Sequence, residues 1–258
     1  MNTVTQPRVL HSEWTKVHSL RSSRITLLVA VGLVVGLGLL IPLVSVSNWD
    51  PNASAADYDA VSRSLGGIYL AQLAFGVLGV LLVTGEYTTG MIRATFAAVP
   101  KRLPVLWGKL GVFGATALVL GTLACLIAFL AGQAIFASRD VDASLGDPGV
   151  LRAVLGAGLF LTGIGALGVG LGALIRNSAG AIATLTGLLF VAPVIVSVLP
   201  ERWSDAIGPY LPGQAGIAVI FTQPSPDSLG PWTGLGVLGL WAAVAVALAA
   251  VMLMRRDV

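Results

Sequence analysis

Apolar residues run along this chain in long blocks, each about as long as a bilayer is thick, separated by short polar punctuation. Crossing a hydrocarbon core about 30 Å thick takes about 20 helical residues. Six stretches reach that length, at 25–47, 66–84, 105–137, 149–175, 179–199 and 232–254. Backbone inside lipid must satisfy its own hydrogen bonds, so the spans are predicted to be α-helices. The pattern predicts an all-α membrane protein with six transmembrane helices, forming a single transmembrane domain over 1–258. Arg176, Asn177 and Ser178 alone separate the fourth and fifth spans, which therefore form a tight antiparallel hairpin. The third block is long enough that its first turns, around Lys109, are expected to project beyond the bilayer.

The polar intervals differ in character. In 1–24, Leu10, Trp14, Val17 and Leu20 recur at helical spacing, with Lys16, Arg21 and Arg24 supplying positive charge. That spacing predicts an interfacial helix feeding the first span. A cleaved signal peptide is disfavoured, because the apolar run that follows is too long and no soluble domain comes after Ser45-Val46-Ser47. The interval 85–104 lies in the longest cationic stretch, Thr84–Lys109, with Glu86, Arg93, Lys101, Arg102 and Lys109. Ile92, Phe96 and Val99 fall at i, i+4, i+7 and share one face of a short amphipathic helix, ended by Pro100 and Pro104. The competing reading of this stretch is a solvated loop with orientation-setting charges. Before the last span, 200–231 contains IGPYLPGQAGIAVIF, apolar but broken by Pro209, Pro212, Gly213 and Gly216. It is too interrupted to cross, and short re-entrant or interfacial helices are expected there.

Charge gives the chain a direction. With the N-terminus inside, the inner segments hold 11 of the 15 basic residues, leaving Arg63, Arg139, Arg152 and Arg202 outside. The same division leaves only Glu13, Glu86 and Asp257 as inner acidic residues. The positive-inside rule then places both termini in the cytoplasm.

Composition agrees and removes other classes. At 56% hydrophobic and 10% charged residues, the chain reads as a polytopic membrane protein. Its basic pI reflects charges flanking spans, so no nucleic-acid partner is implied. Cys125 is the single cysteine and sits in an apolar run, which excludes a disulfide framework and assigns it to the core. His11 and His18 both precede the first span. No ionisable residue lies near the middle of a span, which disfavours coupling to an ion gradient. Phosphate-loop, nucleophile-elbow and zinc-protease motifs are missing, so energised work would need a partner. Gly32 and Gly36, Gly76 and Gly79, and seven glycines of the fourth span read as helix-packing surfaces. Tyr69, Gln72, Thr122, Gln133, Thr184 and Thr186 either line a path or bond between helices.

The order of parts and the Thr84–Lys109 stretch together resemble the membrane subunit of an ABC-2-type ATP-binding cassette exporter. Glu86, Gly90-Met91-Ile92-Arg93, Pro100-Lys101-Arg102 and Lys109 follow that family's local pattern, with Met91 in place of the usual threonine. Ser12 to Lys16 and Tyr210-Leu211-Pro212 resemble actinobacterial members. The resemblance implies a bacterial plasma-membrane permease paired with a second membrane subunit, identical or related. Two cytosolic ATPase subunits would carry the ATP and magnesium, and this chain would need no cofactor and hold no catalytic site. It also implies a coupling helix built from Glu86, Thr89, Gly90, Ile92, Arg93, Phe96, Val99, Pro100 and Arg102, and a hydrophobic or amphipathic cargo. The alternatives from other classes are an ATP-independent channel or facilitator, and a membrane-embedded enzyme.

Overall fold

The computed structural model describes residues 10–15, 21–49, 59–92, 95, 102–223 and 228–255. Among them every regular element is helical. The long helices are α1 (Arg21–Ser47), α3 (Ile68–Thr88), α4 (Arg102–Phe136), α5 (Val150–Ile175), α6 (Ser178–Ser197) and α9 (Pro231–Arg255). Shorter helices include α2 (Ala60–Ser64), α7 (Glu201–Ile207) and α8 (Pro212–Ile217), and residues 10–15 and 91–92 are also helical. The six long helices are each long and apolar enough to cross a membrane, so the protein is a multi-pass membrane protein. One end of the bundle carries Arg24, Arg102, Lys109, Arg176 and Arg255, and is called the basic end. Asp59, Asp140, Asp147, Glu201 and Asp205 lie toward the other, the acidic end.

Helix α5 is the hub. It packs against α3, α4, α6 and α9, and 67% of its most apolar window is buried, against 22% for α1 and 17% for α6. Glycine makes this possible, because small faces let helix backbones approach closely. A Cβ on Gly168 would run into the Gly76 carbonyl, one on Gly79 into the Gly165 carbonyl, and one on Gly172 would lie 2.9 Å from the Val80 carbonyl. On the α9 side, Gly170 lies against Ala245 and the Val246 amide, and Gly163 against Leu238. The glycine-rich fourth span is thus a packing surface on several sides at once. Gly32 and Gly36 behave differently: a Cβ on either meets nothing within 4 Å. Helix α1 instead uses Gly38, which sits against Ala128 and the Ser64 carbonyl.

Element boundaries depart from the hydropathy reading mainly at the basic end. Helix α3 continues to Thr88, so Glu86 belongs to a helix and not to the connecting loop. No residue able to break the helix occurs before Gly90, whose φ of 71° ends the run. Helix α4 starts at Arg102, and Pro104 lies in its first turn, where a missing N–H costs nothing. Pro104 therefore begins a span and does not terminate the preceding short helix. The α5–α6 hairpin is as tight as its three polar residues require. Arg176 takes a left-handed conformation at φ 59°, and the Asn177 side chain accepts from the Gly180 amide at 2.8 Å, capping α6.

At the acidic end, residues 200–220 form broken helices, as the prolines and glycines predict. Residues 201–207 are exposed apart from half-buried Ser204, whereas Leu211–Ile220 is largely buried. Val219 fills the notch left by Gly156, and Gly216 lies against Phe160 and Leu238. A short helix, α2, precedes α3 at this end. Asp59 caps α2 through the Ser62 amide at 3.0 Å, and Gln133 ties α2 to α4 by donating to Ala60 O at 3.1 Å and Ser64 Oγ at 3.0 Å.

Candidate functional site

The buried charges of the bundle gather at the basic end. Lys109, two turns into α4, is 3% exposed; Glu86, in the last turn of α3, is 4% exposed; Glu13, in the helical segment 10–15, is 1% exposed. Lys109 Nζ donates to Glu86 Oε1 at 2.7 Å, to Glu13 Oε2 at 2.8 Å and to the Leu82 carbonyl at 3.5 Å. An ammonium has three donors, and all three are used. Burying charge is tolerated only where pairing and hydrogen bonds replace water, and the Lys109 ammonium has both.

The local reasons for this convergence are simple. Helix α3 carries Glu86 one turn below Leu82, so both face α4 together. Segment 10–15 lies beside α4 at the same place, with Leu10 next to Gly111; a Cβ there would be in ordinary contact, 3.7 Å from Leu10 Cδ2. Three segments distant in sequence are thereby tied at one point. Lys109 is enclosed by protein.

Around the cluster, the basic residues are also engaged within the chain. Arg102 Nη1 donates to the Leu253 carbonyl at 3.0 Å, linking the start of α4 to the end of α9. The Arg176 guanidinium lies 5.4 Å from the centroid of the Tyr87 ring, a cation–π contact between the hairpin and α3. Ser178 Oγ donates to Thr84 Oγ1 at 2.8 Å, fixing the hairpin to α3 a second time. Helices α3, α4, α5, α6 and α9 thus each have a polar tie near this end.

The residues singled out for coupling divide into three groups. Glu86 and Arg102 are bound to other parts of this chain, and Glu86 is buried. Thr89 caps α3, its hydroxyl donating to Gly85 O at 2.9 Å, and Gly90 supplies the positive φ at the turn. Ile92 is 5% exposed and lies in a small cleft with Tyr87, Arg102 and Leu253, so this first residue of the apolar face turns toward the bundle. Met91 is the exposed apolar residue of that turn, at 37%. Arg93, Phe96, Val99 and Pro100 lie outside the described residues. In the N-terminal segment Trp14 is half exposed and Arg24 is exposed; Lys16 and the Arg21 side chain lie outside the described residues.

The polar residues named as path-lining are not gathered around one cavity. Gln133 is fully used in packing, its Oε1 accepting from the Ala143 amide at 2.7 Å. Gln72 is buried and donates to Tyr69 O at 2.8 Å. Thr122 fits the notch of Gly158. Tyr69 is exposed, and Thr184 stands on the wall of an apolar groove of about 380 Å³ between α5, α6 and α9. The groove is lined by leucines with Trp241, Val244 and Ala245.

Sequence reasoning did not place Glu13 and Lys109 in the site. A signal was present: Glu13 and Glu86 are two of only three acidic residues on the basic side. An acid set among many cations beside an apolar span is a natural partner for a buried lysine. Among the described residues no group of three or more His, Cys, Asp or Glu side chains could hold a metal ion. No protein-family model matches this chain, and no curated protein matches it.

Proposed function

We propose that this protein is the membrane-spanning permease subunit of an ATP-driven exporter of the ABC-2 type. On this reading it sits in a bacterial plasma membrane with both termini in the cytoplasm. It pairs with a second membrane subunit, takes its energy from two cytosolic ATPase subunits, and moves a hydrophobic or amphipathic cargo. The observation that carries the proposal is the Glu13–Lys109–Glu86 cluster. It joins the N-terminal segment, the end of α3 and the start of α4 just beside the turn where a new helix begins at Met91.

A partner pressing on the loop between α3 and α4 would displace Glu86 and Lys109 together, and through Glu13 the N-terminal segment as well. Because Arg102 is bonded to Leu253 and Arg176 stacks on Tyr87, the same push would reach α9 and the α5–α6 hairpin. Packed interfaces of this kind switch between discrete arrangements and do not deform gradually. Glu86 acts, in this mechanism, as an internal link and not as the residue touching the ATPase. The docking contacts fall to exposed groups such as Met91.

The test is purification of the tagged protein from its native membrane in mild detergent, with mass spectrometry of co-purifying chains and an ATPase assay. A nucleotide-binding subunit is expected, together with ATP hydrolysis that falls in a Met91→Asp variant of unchanged folding. Recovery of the protein with no ATPase would refute the exporter reading and favour an ATP-independent facilitator.

A further inference from the structure

At the acidic end, opposite Lys109, a cavity of about 550 Å³ opens between the end of α6, α7, the turn Gly208–Tyr210, the start of α8 and the residues before α9. Its size is typical of a site for a small organic molecule. Val196, Leu211 and Leu229 give it an apolar lining, while Asp205, Tyr210 and Gln214 bring polar groups to the same space. Asp205 is the one formally charged side chain among the described lining residues, none of which is basic. Arg202, one turn earlier on α7, is not part of the wall.

The wall is held in place without a ligand. Pro209 and Pro212 fix the backbone on either side of Leu211. The Leu211 amide donates to Gly208 O at 3.2 Å, and Trp241 Nε1 donates to the Tyr210 carbonyl at 3.0 Å, anchoring the turn to α9. The Tyr210 side chain is left half exposed at the rim, 52% accessible, where its ring face can meet a cation. An anionic ligand would face Asp205 with no compensating cation in the wall. A cationic group would gain a pairing with the exposed Asp205 carboxylate that a neutral ligand forgoes.

We propose that this cavity binds an amphiphile carrying an amine or quaternary ammonium group on an apolar body. The cationic group pairs with Asp205 and lies against Tyr210, and the apolar body covers Val196, Leu211 and Leu229. The same chemistry is offered by a free cationic amphiphile and by the amine headgroup of phosphatidylethanolamine. This site goes beyond the exporter reading and does not rest on it, since binding is measured on the chain with no ATPase present.

The experiment titrates rhodamine 6G, a rigid apolar cation, into the full chain in dodecyl maltoside, which carries no amine, and follows fluorescence anisotropy. Saturable binding is expected, weakened about fivefold at low salt in Asp205→Asn, the upper range for an exposed ion pair. Ser197→Phe, which fills the cavity without altering charge, should abolish saturable binding, whereas Glu201→Gln, an acid outside the wall, should leave it unchanged. If Ser197→Phe does not fold, the exposed Asp205→Asn variant still decides. Equal affinity of wild type and Asp205→Asn, or equal affinity for an uncharged dye of similar shape, would overturn the proposal. Added phosphatidylethanolamine that displaces the dye from wild type identifies the lipid amine as occupant. Undiminished dye binding in its presence identifies a free cationic amphiphile.

Discussion

Replacing Lys109 by methionine keeps the length of the side chain and removes the ammonium that holds Glu13 and Glu86 together. Both carboxylates then lose that ammonium while almost wholly buried, at 1% and 4% exposure. Stranding one partner of a buried pair costs about 3–5 kcal/mol. The two pairs share one lysine, so the losses are not additive, and the same range applies to the cluster as a unit. For a chain of this size, that corresponds to a midpoint lowered by about 6–20 °C. The origin of the cost gives a sharper test than its size. Because the penalty is uncompensated charge and not lost packing, the triple variant Glu13→Gln/Glu86→Gln/Lys109→Met should recover most of the loss, returning to within about 1–2 kcal/mol of wild type. Thermal unfolding followed by size-exclusion chromatography in detergent would measure all three proteins side by side. Limited proteolysis would report separately on release of the N-terminal segment, expected in the single variant alone. A Lys109→Met protein as stable as wild type, or a triple variant no better than the single one, would refute the assignment of the cluster as a buried, mutually dependent set.

The helix-packing account makes a contrast between glycines of equal chemistry. Gly168→Ala should lower the thermal midpoint substantially, because its Cβ meets the Gly76 backbone, whereas Gly32→Ala should be neutral or slightly stabilising, since it meets open space and gains helix propensity. Gln133→Leu removes three hydrogen bonds at once; Ser64 Oγ keeps its bond to Ala60 O, but the partly buried Ala143 amide loses the Gln133 acceptor, and a loss of about 1–3 kcal/mol is expected. Faster hydrogen exchange at the Ala143 amide would check it. Topology can be read on a Cys125→Ala background, which removes the single cysteine. Cysteine introduced at exposed Ser144 should react with an impermeant maleimide in intact cells, while one at exposed Asn177 should react only after permeabilisation. The reverse pattern would invert the orientation.

The spans were legible because a helix in lipid needs a long uninterrupted apolar run, and nothing else in a chain looks like that. The α5–α6 hairpin was legible for the same reason: three polar residues leave no room for any other connection. The broken helices near Pro209 and Pro212 followed from backbone chemistry alone. The helix ends at the basic face were read less well. Hydropathy stops at the first charge, but Glu86 and Lys109 neutralise each other, so α3 and α4 carry them inside helical, buried structure. The GxxxG pair Gly32 and Gly36 matched a packing pattern that α1 does not use within this chain.

The sequence by itself determined an all-helical, six-span protein with a basic and an acidic end, because these depend on run length, local backbone preference and the count of charges along the chain. Only the tertiary structure decided that α5 is the hub, since lipid and protein interior are both apolar and hydropathy does not distinguish them. It also decided that residues 13, 86 and 109 meet. Convergence of charges far apart in sequence is set by how helices pack, and the strength of the cluster comes from burial, which no linear pattern of residues records.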